Sequence, residues 1–68
     1  MTKAEIKKAE RLVGMANELP GITYVVDAEK APKREAGSVW YPVTATDAKG
    51  DSWAYWLAAD SGSYRGSF

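Results

Sequence analysis

Cysteine and histidine are both missing from this chain of 68 residues. Without cysteine there is no disulfide framework and no thiolate metal site. Without histidine the commonest metal ligand and the usual general base near neutral pH are missing too. Because small secreted domains usually need disulfides, the composition favours a reducing cytoplasm. We therefore predict a cytoplasmic protein with no metal site.

The chain also lacks an excess of charge of either sign, since nine lysines and arginines balance nine aspartates and glutamates. A formal net charge of zero argues against a broad basic surface for duplex DNA and against an acidic mimic of nucleic acid. Charged residues interrupt positions 1–20, so these positions hold no apolar run of the kind that a signal peptide or a membrane span needs. We expect a soluble, unprocessed chain that does not enter a membrane.

Residues suited to catalysis are equally scarce. The serines have no histidine to activate them, and none lies in a Gly-x-Ser-x-Gly sequence. The aspartates fall at loops and predicted strand ends, where they more often serve turn formation. Neither a glycine-rich phosphate loop nor a calcium loop is present. We predict that the protein is not an enzyme and that it needs no cofactor.

A helix is predicted over about residues 3–19. Thr2 and Glu5 have the spacing of a capping box at its start, and Pro20 with Gly21 ends it. Charged and polar residues occupy the side that faces solvent. The apolar residues that share the other side are Ile6, Ala9, Leu12, Val13, Ala16 and Leu19.

Three strands are predicted, over about residues 22–27, 38–46 and 52–59. Residues 29–37 contain proline, glycine and many charges without periodicity, which predicts an exposed loop. Residues 60–68 are rich in glycine and serine, which predicts a flexible tail that can fold back onto an aromatic patch. The inner face of the first strand is predicted to carry Ile22, Tyr24 and Val26.

The segment Asp47–Asp51 predicts a type I turn in which Gly50 takes the left-handed position of a G1 bulge. This turn sets the register of the two strands that it joins. The predicted pairs are Asp47 with Asp51, Val43 with Tyr55, and Tyr41 with Leu57. The face that receives the helix then carries Val39, Tyr41, Val43, Ala45, Trp53, Tyr55, Leu57 and Ala59.

These elements predict a single α+β domain over residues 1–68, with two layers. Its N-terminal helix packs on one face of a three-stranded, mainly antiparallel sheet, in the order helix, strand, strand, strand. Because one helix covers only one face, aromatic residues of the opposite parity are expected to face outward.

Five of the eight aromatic residues lie within positions 40–56. The predicted register makes Trp40 and Trp56 diagonal neighbours on the uncovered face, with Pro42 directly opposite Trp56 and Thr44 beside them. Tryptophan is enriched at interface hot spots, so this patch predicts a binding surface. In the alternative, the two rings pack on each other, on Pro42 or beneath the tail. Proline is normally excluded from a central strand, so Pro42 conflicts with this register unless its strand is an edge or bulges at this residue.

Basic residues are predicted to rim this patch. Stacking rings beside cations is how single-stranded nucleic acid is held without sequence readout. The predicted rim consists of Lys30, Lys33 and Arg34 in the loop, Lys49 in the turn, and Arg65 with Tyr64 in the tail.

The function predicted from these features is a small, non-enzymatic protein-interaction module. An accessory or inhibitor protein of the kind that phages and mobile elements encode, docking on a larger protein, would fit this size. Single-stranded nucleic-acid binding is the main alternative, and carbohydrate binding is a weaker one. The chain is predicted to be either a monomer or a homodimer through the open sheet face, which would bury the patch.

Overall fold

Residues 1–17 and 21–66 are described by the computed structural model, in which one helix packs on an antiparallel sheet. The helix, α1, spans Lys3–Ala16 and has the predicted capping box at its start. The Glu5 amide donates to Thr2 Oγ1 at 3.1 Å, and the Thr2 amide donates to Glu5 Oε1 at 2.8 Å. Asn17 is the C-cap, and the predicted continuation over residues 18 and 19 lies outside the described residues.

Over residues 1–17 and 21–66 the sheet has five strands, and all of their pairings are antiparallel. They are β1 (Ile22–Val26), β2 (Lys33–Glu35), β3 (Ser38–Asp47), β4 (Ser52–Ala58) and β5 (Tyr64–Arg65). The order across the sheet is β1-β3-β4-β5. Because Trp40 on β3 pairs with Lys33 on one side and Ala58 on the other, β2 lies on the edge of β3 opposite β4. β1 and β2 therefore follow one another along the same edge of β3.

The predicted α+β class is confirmed, but the predicted number of three strands is wrong. β2 lies within the segment predicted as a loop, and it consists of three exposed charged residues. β5 lies within the segment predicted as a flexible tail, and it has only two residues. Neither strand is long enough to show the alternation by which a strand is found from sequence. Residues 67 and 68 of the predicted tail lie outside the described residues.

The register predicted for β3 and β4 is confirmed. Tyr41 pairs with Leu57 and Val43 pairs with Tyr55. The turn between the strands closes as expected, because Gly50 has a φ of 90° and the Asp47 amide donates to the Asp51 carbonyl at 2.9 Å. The Asp47 carboxylate also accepts from two turn amides, which explains why the turn sequence alone was informative.

The core lies between α1 and the sheet face of Tyr41, Val43 and Leu57, against which Ala9 and Val13 of the helix pack. Two residues predicted for this covered face are exposed instead. Ile22 is 41% exposed and Trp53 is 45% exposed. Both lie at the end of the sheet near the β3–β4 turn. A helix of 14 residues is about 21 Å long, and α1 leaves these two side chains exposed to solvent.

Pro42 lies in a central strand at the point where its pairing with β1 ends, and the Asp27 carbonyl opposite it accepts from the Lys30 amide instead. The Pro42 carbonyl accepts from the Asp27 amide at 2.9 Å, so this residue is directed towards the edge shared by β1 and β2. The nitrogen of a strand residue points to the same side as its carbonyl. The Pro42 nitrogen therefore faces the gap between the end of β1 and the start of β2. This interruption resolves the conflict that proline poses for the predicted strand.

Asn17 ties the end of α1 to the edge of the sheet. Its side-chain nitrogen donates to the Tyr24 carbonyl at 2.9 Å, and its side-chain oxygen accepts from the Tyr24 amide at 2.8 Å. The amide group thus takes the place of a neighbouring strand at this residue of β1. An edge occupied in this way is less open to pairing with another chain.

The turn between β2 and β3 contains a strained residue. Ala36 has a φ of 53° and the following Gly37 has a φ of 77°, as a type I′ hairpin turn requires. Alanine is disfavoured in this left-handed region, whereas asparagine enters it readily. We expect Ala36→Asn to raise the free energy of unfolding by about 0.5–1 kcal/mol, as judged from similar backbone substitutions. Urea denaturation followed by far-UV circular dichroism measures the change.

The matched control for this prediction is Ala48→Asn. Ala48 is an exposed alanine in the β3–β4 turn, and its φ is not positive. Its replacement should leave stability within about 0.5 kcal/mol of the wild type. Equal stabilities for the two variants would show that the backbone conformation of Ala36 does not lower the free energy of unfolding.

Candidate functional site

The sheet face opposite α1, called here the outer face, is the candidate site. Since Tyr41, Val43 and Leu57 face the helix, the residues that alternate with them point the other way, and directly paired residues share a face. The outer face therefore carries Thr23, Val25, Lys33, Glu35, Ser38, Trp40, Pro42, Thr44, Thr46, Ser52, Ala54, Trp56, Ala58 and Arg65. It combines small and β-branched side chains with two indoles, two basic residues and one acidic residue.

Trp56 lies between the two basic residues. It is half-buried, and the Lys33 Nζ atom lies 5.4 Å from the centroid of its ring. Arg65 on β5 is its direct cross-strand partner. A cation at this distance over an indole is attracted by the ring. The structure thus brings together one aromatic and two basic residues that are far apart in the sequence.

Trp40 does not have the predicted outward exposure. Its side chain is only 9% exposed, and its Nε1 donates to the Glu35 carbonyl at 2.9 Å. The strand that supplies this carbonyl is β2, which runs beside Trp40 where a loop was predicted. With neighbouring strands on both sides, an indole on a central strand is buried without a second helix. Trp40 is therefore a structural residue of the outer face rather than an accessible one.

Pro42 and Thr44 lie on the outer face as predicted. Pro42 is buried and is directly opposite Trp56. The Thr44 Oγ1 atom donates to the Asp27 carboxylate at 3.0 Å. The Lys30 Nζ atom lies 3.7 Å from the same carboxylate, which places this lysine at the end of β1 beside the outer face. Of the predicted loop cations, Lys30 and Lys33 are thus close to the face.

Three residues of the predicted site lie elsewhere. Arg34 is paired with Val39 and so belongs to the helix side of the sheet. Lys49 is in the β3–β4 turn, at the far end of the sheet from β5. Tyr64 also faces the helix side, where its ring stacks on Tyr24 with centroids 4.3 Å apart. The predicted basic rim is therefore split between the two faces and one end of the sheet.

Val25 is an outer-face residue that the sequence interpretation missed. It is 58% exposed, the highest value for a large apolar residue of the sheet. Its position follows from strand alternation, because Tyr24 and Val26 on either side of it were assigned to the inner face. An exposed β-branched side chain beside Thr44 gives the outer face an apolar area at the β1 edge.

The chain matches no family model, no curated protein and no solved structure. Within residues 1–17 and 21–66, no three side chains of aspartate, glutamate, cysteine or histidine are grouped so as to hold a metal ion. The only described helix is too short and too polar to cross a membrane. The function must therefore be argued from the surface of the domain.

Proposed function

We propose that this domain is a non-enzymatic protein-interaction module that binds another protein through its outer face. The observation that carries the proposal is the combination on this face of a half-buried Trp56, two flanking basic residues and the exposed Val25. Tryptophan and arginine are the residue types most enriched at interface hot spots. A partly buried indole also presents a rigid apolar surface at a low cost in side-chain entropy.

The shape of the outer face supports the same proposal. Beyond Trp56 and the charged residues Lys33, Glu35 and Arg65, its exposed or half-exposed positions carry threonine, serine, alanine and valine, which are short side chains. A flat area of this kind next to an aromatic residue allows the close approach of a second surface. An accessory or inhibitor role, exerted by occupying the surface of a larger cytoplasmic protein, suits a domain of this size without cysteine.

The experiment compares two substitutions on one strand. Val25→Asp places a charge on the outer face, whereas the matched control Ile22→Asp places one on the other face of β1, at a residue that is also exposed. We expect affinity purification from a lysate of the source organism to lose a partner at least about tenfold with Val25→Asp, as for a hot-spot substitution, and to retain it with Ile22→Asp. Recovery of every partner at equal levels with both variants contradicts the proposal.

Single-stranded nucleic-acid binding is the second candidate, and one observation favours it. Lys33 and Arg65 lie on either side of Trp56, which is the arrangement of cations and a stacking ring that such proteins use. A fluorescein-labelled oligothymidine titrated at increasing salt distinguishes the two candidates by fluorescence anisotropy. Binding that weakens steeply with salt and is lost in Lys33→Ala, but not in Lys49→Ala, favours nucleic acid.

A further inference from the structure

The solvent side of α1 carries four basic residues that the proposed function does not use. With about 100° between successive residues, Lys3, Lys7, Lys8 and Arg11 lie within an arc of about 140°. All four are exposed. Glu5 points towards the sheet side and is bonded to Thr2, and Glu10 borders the arc on one side. We call this arc, together with Ala4 and Met15, the basic side of α1.

No carboxylate among the described residues lies within salt-bridge distance of these four side chains. The hydrogen bonds that Asp60 accepts from Ser38 and Ser61 lower the pKa of that carboxyl, and the charge of Lys8 adds to the lowering. Six of the nine aspartates and glutamates lie beyond residue 20 of a chain whose formal net charge is zero. The basic side of α1 is thus a local positive surface on a neutral domain, and it attracts anionic groups.

The basic side has a shape as well as a charge. Ala4 lies among the longer side chains of Lys7, Lys8 and Arg11, and the four residues line one shallow depression. Lys3, Lys7 and Arg11 follow one another at intervals of four residues, a rise of about 6 Å each. Met15, four residues beyond Arg11, is 65% exposed. Cations over three turns are therefore followed by an apolar side chain at the C-terminal end of the helix.

We propose that the basic side of α1 is a second docking surface, and that it takes an acidic protein segment. The segment it fits has carboxylates about one helical turn apart, with an apolar residue at one end to contact Met15. Met15 favours a protein segment over a nucleic acid, because the backbone of a nucleic acid offers no apolar group to contact an exposed thioether chain at the end of a row of cations. The described aromatic residues all lie on the strands, so this side offers no ring on which a base can stack.

The basic side of α1 is separate from the outer face, because α1 covers the opposite side of the sheet. A domain with one docking surface on each side can hold two proteins at once. The two surfaces also differ in kind. The outer face is built around an indole and short side chains, whereas the basic side of α1 relies on charge and gives binding that is sensitive to salt.

The test uses a fluorescein-labelled helical peptide with glutamate at every fourth position and leucine beyond the last glutamate. A second peptide, with glutamine in place of each glutamate, is its control. At low salt we expect the glutamate peptide to bind and the glutamine peptide not to bind. The double variant Lys7→Glu, Arg11→Glu is expected to weaken binding about tenfold or more, because attraction is replaced by repulsion. Glutamate and lysine have similar helix propensities, so the helix is retained, and circular dichroism checks this.

The matched control for the protein is Lys30→Glu, Lys49→Glu, which changes the net charge equally at lysines outside α1. It should lose far less affinity than the double variant on the helix. Trp56→Ala should bind the peptide as the wild type does, so failure of the outer face as a binding site leaves this result intact. Equal binding of both peptides overturns the inference. The inference is also overturned if an oligothymidine binds as tightly as the glutamate peptide and Met15→Gln changes the affinity for neither ligand.

Discussion

Replacing Trp40 with alanine is expected to lower the free energy of unfolding by about 3–5 kcal/mol, the usual loss for a buried aromatic side chain. Its side chain is 9% exposed and lies on the central strand β3, paired on both sides. The substitution also removes the donor to the Glu35 carbonyl. A domain of this size has a total stability of only about 3–10 kcal/mol, so much of the variant should be unfolded in mild denaturant. Urea denaturation followed by far-UV circular dichroism measures the loss.

Two further variants make the prediction specific. Trp40→Phe keeps most of the apolar contact and loses the hydrogen bond, so it should cost about 1–2 kcal/mol. Trp56→Ala removes an indole of the same size from the same face, but one that is only half-buried, and it should cost less than Trp40→Ala. Equal losses for the two alanine variants would contradict the structural role given to Trp40. The expected instability also makes Trp40→Ala unsuitable for testing partner binding, whereas the exposed Val25 can be replaced without disturbing the core.

The parts of the fold that could be predicted are those set by neighbouring residues. The capping box at Thr2 and the turn at Asp47 both depend on hydrogen bonds between groups within four positions of each other. Such groups are read directly from the sequence. Because the Asp47 turn sets the register of β3 and β4, the predicted pairs of these two strands were correct.

The strands that could not be predicted form through tertiary pairing. β2 is a run of three charged residues, and it is a strand because the turn at Ala36 and Gly37 brings it against the start of β3. The burial of Trp40 follows from β2. The prediction of an outward-facing Trp40 counted only the helix as a cover for the sheet and left packing on Pro42 or beneath the tail as an alternative, whereas a strand on each side also buries a central residue. The opposite error was made for Trp53, because α1 does not shield that end of the sheet.

The candidate site was predictable in part. Strand parity alone places Trp56 and Val25 opposite the helix, and only the first of them was recognised. The position of the cations was not predictable, since Lys33 and Arg34 lie on opposite faces only if residues 33–35 form a strand. Arg65 reaches Trp56 because β5 pairs with β4, and nothing in the composition of the tail indicates this pairing. Whether the outer face binds a partner stays a prediction.

Tyr64 gives the second large effect, and here the ring and its hydroxyl group act in opposite directions. The ring stacks on Tyr24 at 4.3 Å and packs against the core, so Tyr64→Ala should lower the free energy of unfolding by about 3 kcal/mol. The hydroxyl oxygen is buried and has no hydrogen-bond partner among the described residues. Because an unpaired buried hydroxyl is unfavourable, Tyr64→Phe should be neutral or should stabilise by about 1 kcal/mol. Denaturation curves of the two variants against the wild type measure both effects.

The same hydroxyl group predicts how stability depends on alkaline pH. Burial raises the pKa of Tyr64 above its ordinary value of 10.0, and Tyr24 adds to the effect. The folded state therefore favours the neutral phenol, and this contribution is complete below pH 10.0 and is lost as the pH rises through the folded-state pKa. Burial also raises the pKa of Tyr41, so Tyr64→Phe should still lose stability above that pH, but less steeply than the wild type. Identical pH dependence in the two proteins would contradict the raised pKa of Tyr64. A loss of stability in Tyr64→Phe near neutral pH would show that the hydroxyl group has a hydrogen-bond partner.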